Sequence, residues 1–353
     1  MTARSLCWIV VLASITTLSF RYSDTAAARS AGEPAVERFT CETADGVTLV
    51  GDFYPPGKGK GERGPCVILL HAVGPGRTSA CRADFGRLPQ LLQHEGFAVI
   101  AFDFRGHGDS KTIDPLRYFE LYPPARPQTN QAAAHKLDSR EFRTSFELAL
   151  MANDLTAVKV WLNKQNNLRR CNSHNVALVG VEQSGLVALI FAINEHRDSN
   201  RLLEFTGSRQ NAESRFEGDD LVALVMLSTA DRLGADRLDP GWLQTWLPFT
   251  QARRLHLLTL YGDEDALAKE FWSRAATWFR GREKESTPGL TRKPIKGTSL
   301  AGLKLLDHEV FGAREELLKF LTDKLQTPNV KWSEHKGNQH PMLINLPRIL
   351  GGQ

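Results

Sequence analysis

The sequence predicts an α/β fold of three layers: a mostly parallel sheet with helices on both faces and an antiparallel hairpin at its start. Three observations predict it. Several short runs, "PCVILL", "FAVIAFDF", "NVALVGV", "LVALVMLS" and "LHLLTLYG", are apolar throughout, as strands buried on both faces must be. These runs alternate with stretches whose apolar residues recur at helical spacing, which implies parallel strands joined by crossover helices. Two β-rich runs joined by Ala44, Asp45 and Gly46 precede them, a hairpin signal. With 353 residues, 42% of them hydrophobic, the chain can bury one large core.

Taken in order, the first segment differs in kind from the rest. Arg4 is followed by an apolar run from Leu6 to Phe20 and then by polar residues and Ala26, Ala27 and Ala28. This pattern predicts a secretory signal over residues 1–28, cleaved on export to the periplasm or the cell exterior. The run is shorter than the roughly 18 to 20 residues that cross a bilayer, so no stable membrane span is expected after cleavage.

The main domain is expected over residues 36–325. After the hairpin, Pro55 and Pro56 stop the second strand and "KGKGERG" forms a charged turn. A buried strand ends in the glycines of "HAVGPG", a helix over "ADFGRLPQLLQHEG" stops at Gly96, and a second strand ends in the loop "RGHGDS". Residues 111–143, with Pro115, Pro123, Pro124 and Pro127, break this rhythm as an insertion. One long helix is then expected over "FELALMANDLTAVKVWLNKQN", followed by the strand and helix of "NVALVGVEQSGLVALIFA". Two more buried strands, a helix around Trp272, a weak strand within "KGTSLAGLKLL" and a terminal helix complete the domain. Residues 326–353 lack strong periodicity and are expected to form a C-terminal extension.

Composition excludes several classes of function. The 44 basic and 40 acidic residues give a net charge of +4, and the basic residues are spread along the chain, so no nucleic-acid partner is expected. Signal cleavage leaves Cys41, Cys66, Cys81 and Cys171, an even number that permits disulfides without naming a pairing. No pair or cluster of cysteines and histidines stands at ligand spacing, so neither a metal nor another cofactor is expected. "GPGRTS" resembles a phosphate loop but lacks its lysine.

Three stretches, "VILLHAVGPG", "FAVIAFDFRGHGDS" and "VALVGVEQSG", occur in an order that resembles the α/β-hydrolase superfamily. More narrowly, "GHGDSKTIDP", "ANDLTAVKVWLNKQNN" and "EGDD" are similar to an uncharacterised branch of exported bacterial members that also lacks a serine at the nucleophile elbow. The resemblance implies a G-x-S-x-G turn between strand and helix, where the central residue is strained and small flanking residues let the two elements approach. Here Gly180 stands first, Glu182 stands at the nucleophile position and Ser184 replaces the second glycine. A shifted register with Ser184 as nucleophile would put Glu182 and Leu186 where small residues are needed.

The resemblance further implies Asp265 as the triad acid, with Asp263 as competitor, and His308 as the base before the last helix. Asp307 is alternatively the cap of that helix. Oxyanion donors would be the backbone N–H groups of Val73 and Gln183, and His71 would shape their loop. Asp103, Arg105, His107 and Asp109 are expected to be structural turn residues. Two functions remain open. One is a non-hydrolytic module that binds a small-molecule or peptide ligand, and the other is a hydrolase of esters, amides or related bonds using Glu182 or another nucleophile with Asp265 and His308.

Overall fold

The computed structural model describes residues 35–57, 60–123, 135–142, 144–206, 217–237, 255–279, 289–336, 340–344 and 346. The expected signal segment, residues 238–254 and part of the insertion lie outside the described residues.

Eight strands form one sheet. They are β1 (Glu37–Glu42), β2 (Thr48–Tyr54), β3 (Pro65–Leu70), β4 (Ala98–Phe102), β5 (Asn172–Val181), β6 (Leu221–Leu227), β9 (His256–Gly262) and β10 (Leu290–Ile295). Their order is β1-β2-β4-β3-β5-β6-β9-β10; β1 and β2 pair antiparallel, β2 runs antiparallel to β4, and every later pairing is parallel. A separate two-stranded hairpin joins β7 (Arg232–Leu233) and β8 (Asp236–Arg237). The expected sheet is therefore present, and the fully apolar runs are its central strands.

The helices are α1 (Leu88–His94), α2 (Pro115–Leu121), α3 (Ser145–Ala149), α4 (Ala152–Asn167), α5 (Ser184–Thr206), α6 (Ala266–Phe279), α7 (Leu303–Asp307) and α8 (Ala313–Leu321). Two apolar layers cover the sheet. Leu155, Val158, Leu189 and Phe191 of α4 and α5 pack on one face, while Leu92, Leu317 and Leu321 of α1 and α8 pack on the other.

Several sequence expectations need correction. The long helix expected from Phe146 is two helices, because a turn at Leu150 and Met151 separates α3 from α4. The insertion begins as part of the fold: Val47 and Thr112 bridge to Ile113 and Lys136, and Ile113 and Tyr118 join the core. The last strand, β10, lies just upstream of the run expected to hold it. Its burial alternates weakly, so it reads as an edge rather than a core strand. Asp307 ends α7 instead of capping the terminal helix, which starts after Gly312 in a left-handed turn.

Candidate functional site

The candidate site lies where parallel strands end, the usual place for ligands in open α/β sheets. Strand β5 runs straight into α5 through Glu182, whose φ of 54° is the left-handed conformation that ordinary residues avoid. The turn is held by backbone: the Glu182 N–H donates to Leu227 O at 2.8 Å. A Cβ at Gly180 would lie 2.6 Å from the Gly185 Cα, so strand and helix touch through these two glycines. Gly185, one residue beyond the expected small position, shares this packing.

Ser184 points inward. It is fully buried, and its Oγ accepts from Val181 N–H at 2.7 Å and donates to a backbone carbonyl, Leu70 O or Val181 O, each at 2.9 Å. The hydroxyl stitches the end of β5 to β3, so the shifted register has no accessible serine.

Glu182 is held by a cation that sequence reasoning passed over. Arg77 Nε donates to Oε2 at 2.7 Å and Nη2 donates to Oε1 at 2.6 Å, a bidentate pair with about half of the arginine side chain exposed. The carboxylate in turn pushes the guanidinium pKa up. Arg77 stands in the loop after β3, which turns at Gly74 and Gly76 with φ of 102° and 77°. The available signal was charge complementarity, a basic residue in the loop facing an acidic residue at the elbow. On another side, a Cβ at Gly302 would lie 2.9 Å from Glu182 Oε1, so the loop before α7 also closes on the carboxylate.

The loop after β3, where the resemblance implies oxyanion donors, packs against the elbow. Val73 is buried, and Gly74 leaves room for the Gln183 amide, whose oxygen would lie 2.4 Å from an added Cβ. Gln183 Oε1 accepts from the Gly234 N–H at 2.8 Å and so ties the elbow to the turn of the β7–β8 hairpin. His71 begins this loop: its Nε2 accepts from Phe104 N–H at 3.1 Å and its Nδ1 lies 2.9 Å from Ala72 O. That pattern places the hydrogen on Nδ1. Burial, reinforced by nearby His107, pushes its pKa down to about 3.

Asp265 and His308 share no hydrogen bond. Asp265 follows β9 and caps α6 by accepting from Ala268 N–H at 3.1 Å, and burial raises its pKa. Asp263 instead accepts from Gly297 N–H at 2.8 Å and organises the turn after β10. His308 is exposed, and its ring lies 6.2 Å from Phe311. Among the described residues no hydrogen bond joins it to Asp265 or Glu182. Gly302 lies beside the elbow, and His308 follows at the end of α7. Another residue missed from sequence is Ser228, a buried residue beside Asp265 with φ of 51° at the end of β6.

The "DFRGHGDS" cluster is internal scaffolding. Arg105 is fully buried between Asp154, reached by Nε at 2.8 Å, and Asp45, reached by Nη1 at 2.7 Å. Asp103 accepts from Arg82 N–H at 2.7 Å, from the Arg82 guanidinium and from Asp109 N–H at 2.9 Å. His107 Nδ1 faces the Arg105 carbonyl at 3.0 Å, and Asp109 pairs with Arg38.

With this geometry in view, comparison with known proteins is informative about fold. The family model described as "Alpha/beta hydrolase family" matches residues 67–328. The chain belongs to the alpha/beta hydrolase family. This alpha/beta hydrolase resembles the crystal structure of the hydrolase GrgF from Penicillium sp. sh18 at 13% identity and TM-score 0.50, covering 83% of this chain and 100% of that one. It also resembles Thermogutta terrifontis esterase 2 phosphoramylated by tabun, at 12% identity and TM-score 0.49 over 82% and 94% of the two chains. Protein PA2218 from Pseudomonas aeruginosa shows 12% identity and TM-score 0.48 over 84% and 95%. No curated protein sequence matches this hydrolase-family chain. Among its described residues no helix is long and apolar enough to cross a membrane.

Proposed function

We propose that this chain is an exported member of the alpha/beta hydrolase family that binds a small molecule or peptide at the elbow end of its sheet and performs no serine-hydrolase chemistry. The observation that carries the reading is the Arg77–Glu182 pair. At the position of the attacking group stands a carboxylate with both oxygens engaged by one guanidinium, a bidentate arrangement that lowers its nucleophilicity and fixes its direction. Its longer side chain also displaces the oxygen by about one bond length, roughly 1.5 Å, and near-attack geometry tolerates little displacement. His308 is exposed and makes no hydrogen bond to Asp265 or Glu182, which speaks against an acid–base partner that would activate the carboxylate. Export rests on the N-terminal pattern of the sequence.

The competing reading keeps Glu182 as nucleophile or base, served by Asp265 and His308. A serine-directed phosphonate probe and a panel of ester, epoxide and peptide substrates decide between them when run beside Glu182→Gln. The binding reading expects neither labelling nor turnover. Turnover by the wild type that disappears in Glu182→Gln would overturn it.

A further inference from the structure

The opposite end of the sheet carries a second cluster that the elbow does not use. Asn172 to Asn175 begin β5, Asp220 immediately precedes β6, and residues 330–336 of the C-terminal extension cross both without regular secondary structure. Asparagine side chains clamp this strap by its backbone: Asn172 donates to Val330 O at 2.7 Å, Asn166 to Ser333 O at 2.9 Å and Asn167 to His335 O at 3.0 Å. The clamp brings His335 against His174, with ring centroids 3.8 Å apart and planes inclined by 19°.

The far nitrogen of each ring is held by its neighbours. Ser333 presents its carbonyl at 3.0 Å and its hydroxyl at 2.7 Å to His174 Nε2, so the ring can carry its hydrogen there, donated to the carbonyl, with Nδ1 left as a lone pair. Ser173 Oγ donates its one hydrogen to Asn163 Oδ1 at 2.9 Å, so at 2.8 Å from His335 Nε2 it must accept, and that nitrogen also carries a hydrogen. With the hydrogen on each Nε2, both Nδ1 lone pairs face Asp220. His174 Nδ1 is 2.7 Å from Oδ1 and His335 Nδ1 is 3.8 Å from Oδ2.

Two lone pairs aimed at a carboxylate repel unless positive charge lies between them. Protonating both rings would stack two cations face to face, and a hydrogen on His174 Nδ1 alone would pair only that ring with Asp220. Lys159 Nζ reaches Asp220 Oδ2 at 3.4 Å but neutralises the carboxylate alone and is shared with Glu195 at 3.9 Å. One divalent cation would satisfy both nitrogens and the carboxylate at once. The ligand atoms of His174, Asp220 and His335 all lie within 4.8 Å of one another. Each ring also has its far nitrogen anchored, by the Ser333 carbonyl and the Ser173 hydroxyl, the arrangement that orients metal-binding imidazoles.

We propose that His174, Asp220 and His335 form a site for a divalent first-row transition ion, Zn²⁺ above all, fastening the C-terminal strap to the sheet. Two imidazole nitrogens and one carboxylate oxygen suit that class of ion and leave a further position for water on the partly exposed His335 side. Binding tilts the stacked rings and turns the Asp220 carboxylate, while Lys159 keeps Glu195 as its partner. Sequence spacing gave no hint because the three residues come from distant parts of the chain.

The test uses the whole exported chain, stripped with a chelator and then titrated with ZnCl₂ by calorimetry, with Co²⁺ absorption as a second readout. One ion per chain is expected, with proton release and a raised Tm. His174→Ala and His335→Ala should each weaken binding by about tenfold or more. His174 is buried, so His335→Ala on the strap serves as the variant whose circular dichroism must match the wild type. Failure to bind Zn²⁺ or Co²⁺ at millimolar concentration would overturn the proposal and leave a protonated histidine–aspartate pair. Undiminished binding in a folded His335→Ala chain would equally overturn it.

Discussion

His71 gives the protein a measurable acid sensitivity. In the fold its Nε2 must accept the Phe104 N–H at 3.1 Å, so a proton there would set two N–H groups head to head inside a dry site. Burial lowers its pKa from 6.5 to about 3. Above pH 6.5 the ring is neutral in both folded and unfolded chains and costs nothing. As pH falls below 6.5 the unfolded chain takes up a proton that the folded chain refuses, so stability falls by about 1.4 kcal/mol per pH unit until about pH 3. At pH 5 the loss is about 2 kcal/mol. His71→Gln retains an acceptor for Phe104 while removing the titration. Urea unfolding of both proteins at pH 7.5 and pH 5 isolates the term, because carboxylate contributions are common to both. The wild type should lose about 2 kcal/mol more than the variant between the two conditions. Equal losses would refute the neutral, buried assignment. Neighbouring His107, whose pKa is also lowered by burial, acts in the same direction in both proteins.

Three further outcomes are expected. Arg105→Met strands the buried carboxylates of Asp45 and Asp154 and should cost about 3–5 kcal/mol in chemical denaturation; a loss below about 1 kcal/mol would show the pair to be dispensable. Glu182→Gly relieves the left-handed backbone at φ 54°, a gain of about 1 kcal/mol set against a half-exposed ion pair worth up to about 1 kcal/mol, so stability should hold or rise slightly. A fall of more than about 2 kcal/mol would mean that the carboxylate supports the fold. In the folded, reduced chain, iodoacetamide at pH 8 should modify Cys81 first, since Cys66 and Cys171 are buried and burial pushes the Cys41 thiol up to about 12. Peptide mass spectrometry showing Cys66 or Cys171 labelled first would contradict that packing.

Much of the fold was legible because its signals are local. A strand buried on both faces must be apolar throughout, and β3, β4, β5, β6 and β9 were each visible for that reason. The edge strand β10, "LTRKPI", has one half-exposed face and escaped the same criterion. The break between α3 and α4 escaped for a different reason: Leu150 and Met151 continue the apolar pattern while the backbone turns beneath them. At the site, Gly180 and Glu182 were readable because the elbow is a contiguous motif. The Arg77 pair and the Gly302 contact join residues far apart in sequence, and only chain packing reveals them. His308 illustrates the converse, since its order along the chain fits a triad while its ring is exposed and hydrogen-bonded to neither Asp265 nor Glu182.

The elbow holds a strained backbone at Glu182. A left-handed residue other than glycine costs about 1–2 kcal/mol, and glycine would remove that cost at this turn. The glutamate and its neighbour Gln183 instead tie three loops to the elbow. Its carboxylate holds Arg77 of the loop after β3, its flank accepts the close approach of Gly302, and the adjacent Gln183 binds the Gly234 N–H of the β7–β8 turn. Where the resemblance places the nucleophile, an ion pair engages the carboxylate. A ligand that enters must therefore either lie over the Arg77–Glu182 pair or separate it. A carboxylate-bearing ligand has the means to separate it, by exchanging for Glu182 on the exposed guanidinium, and the left-handed turn would then present the released glutamate to the same ligand.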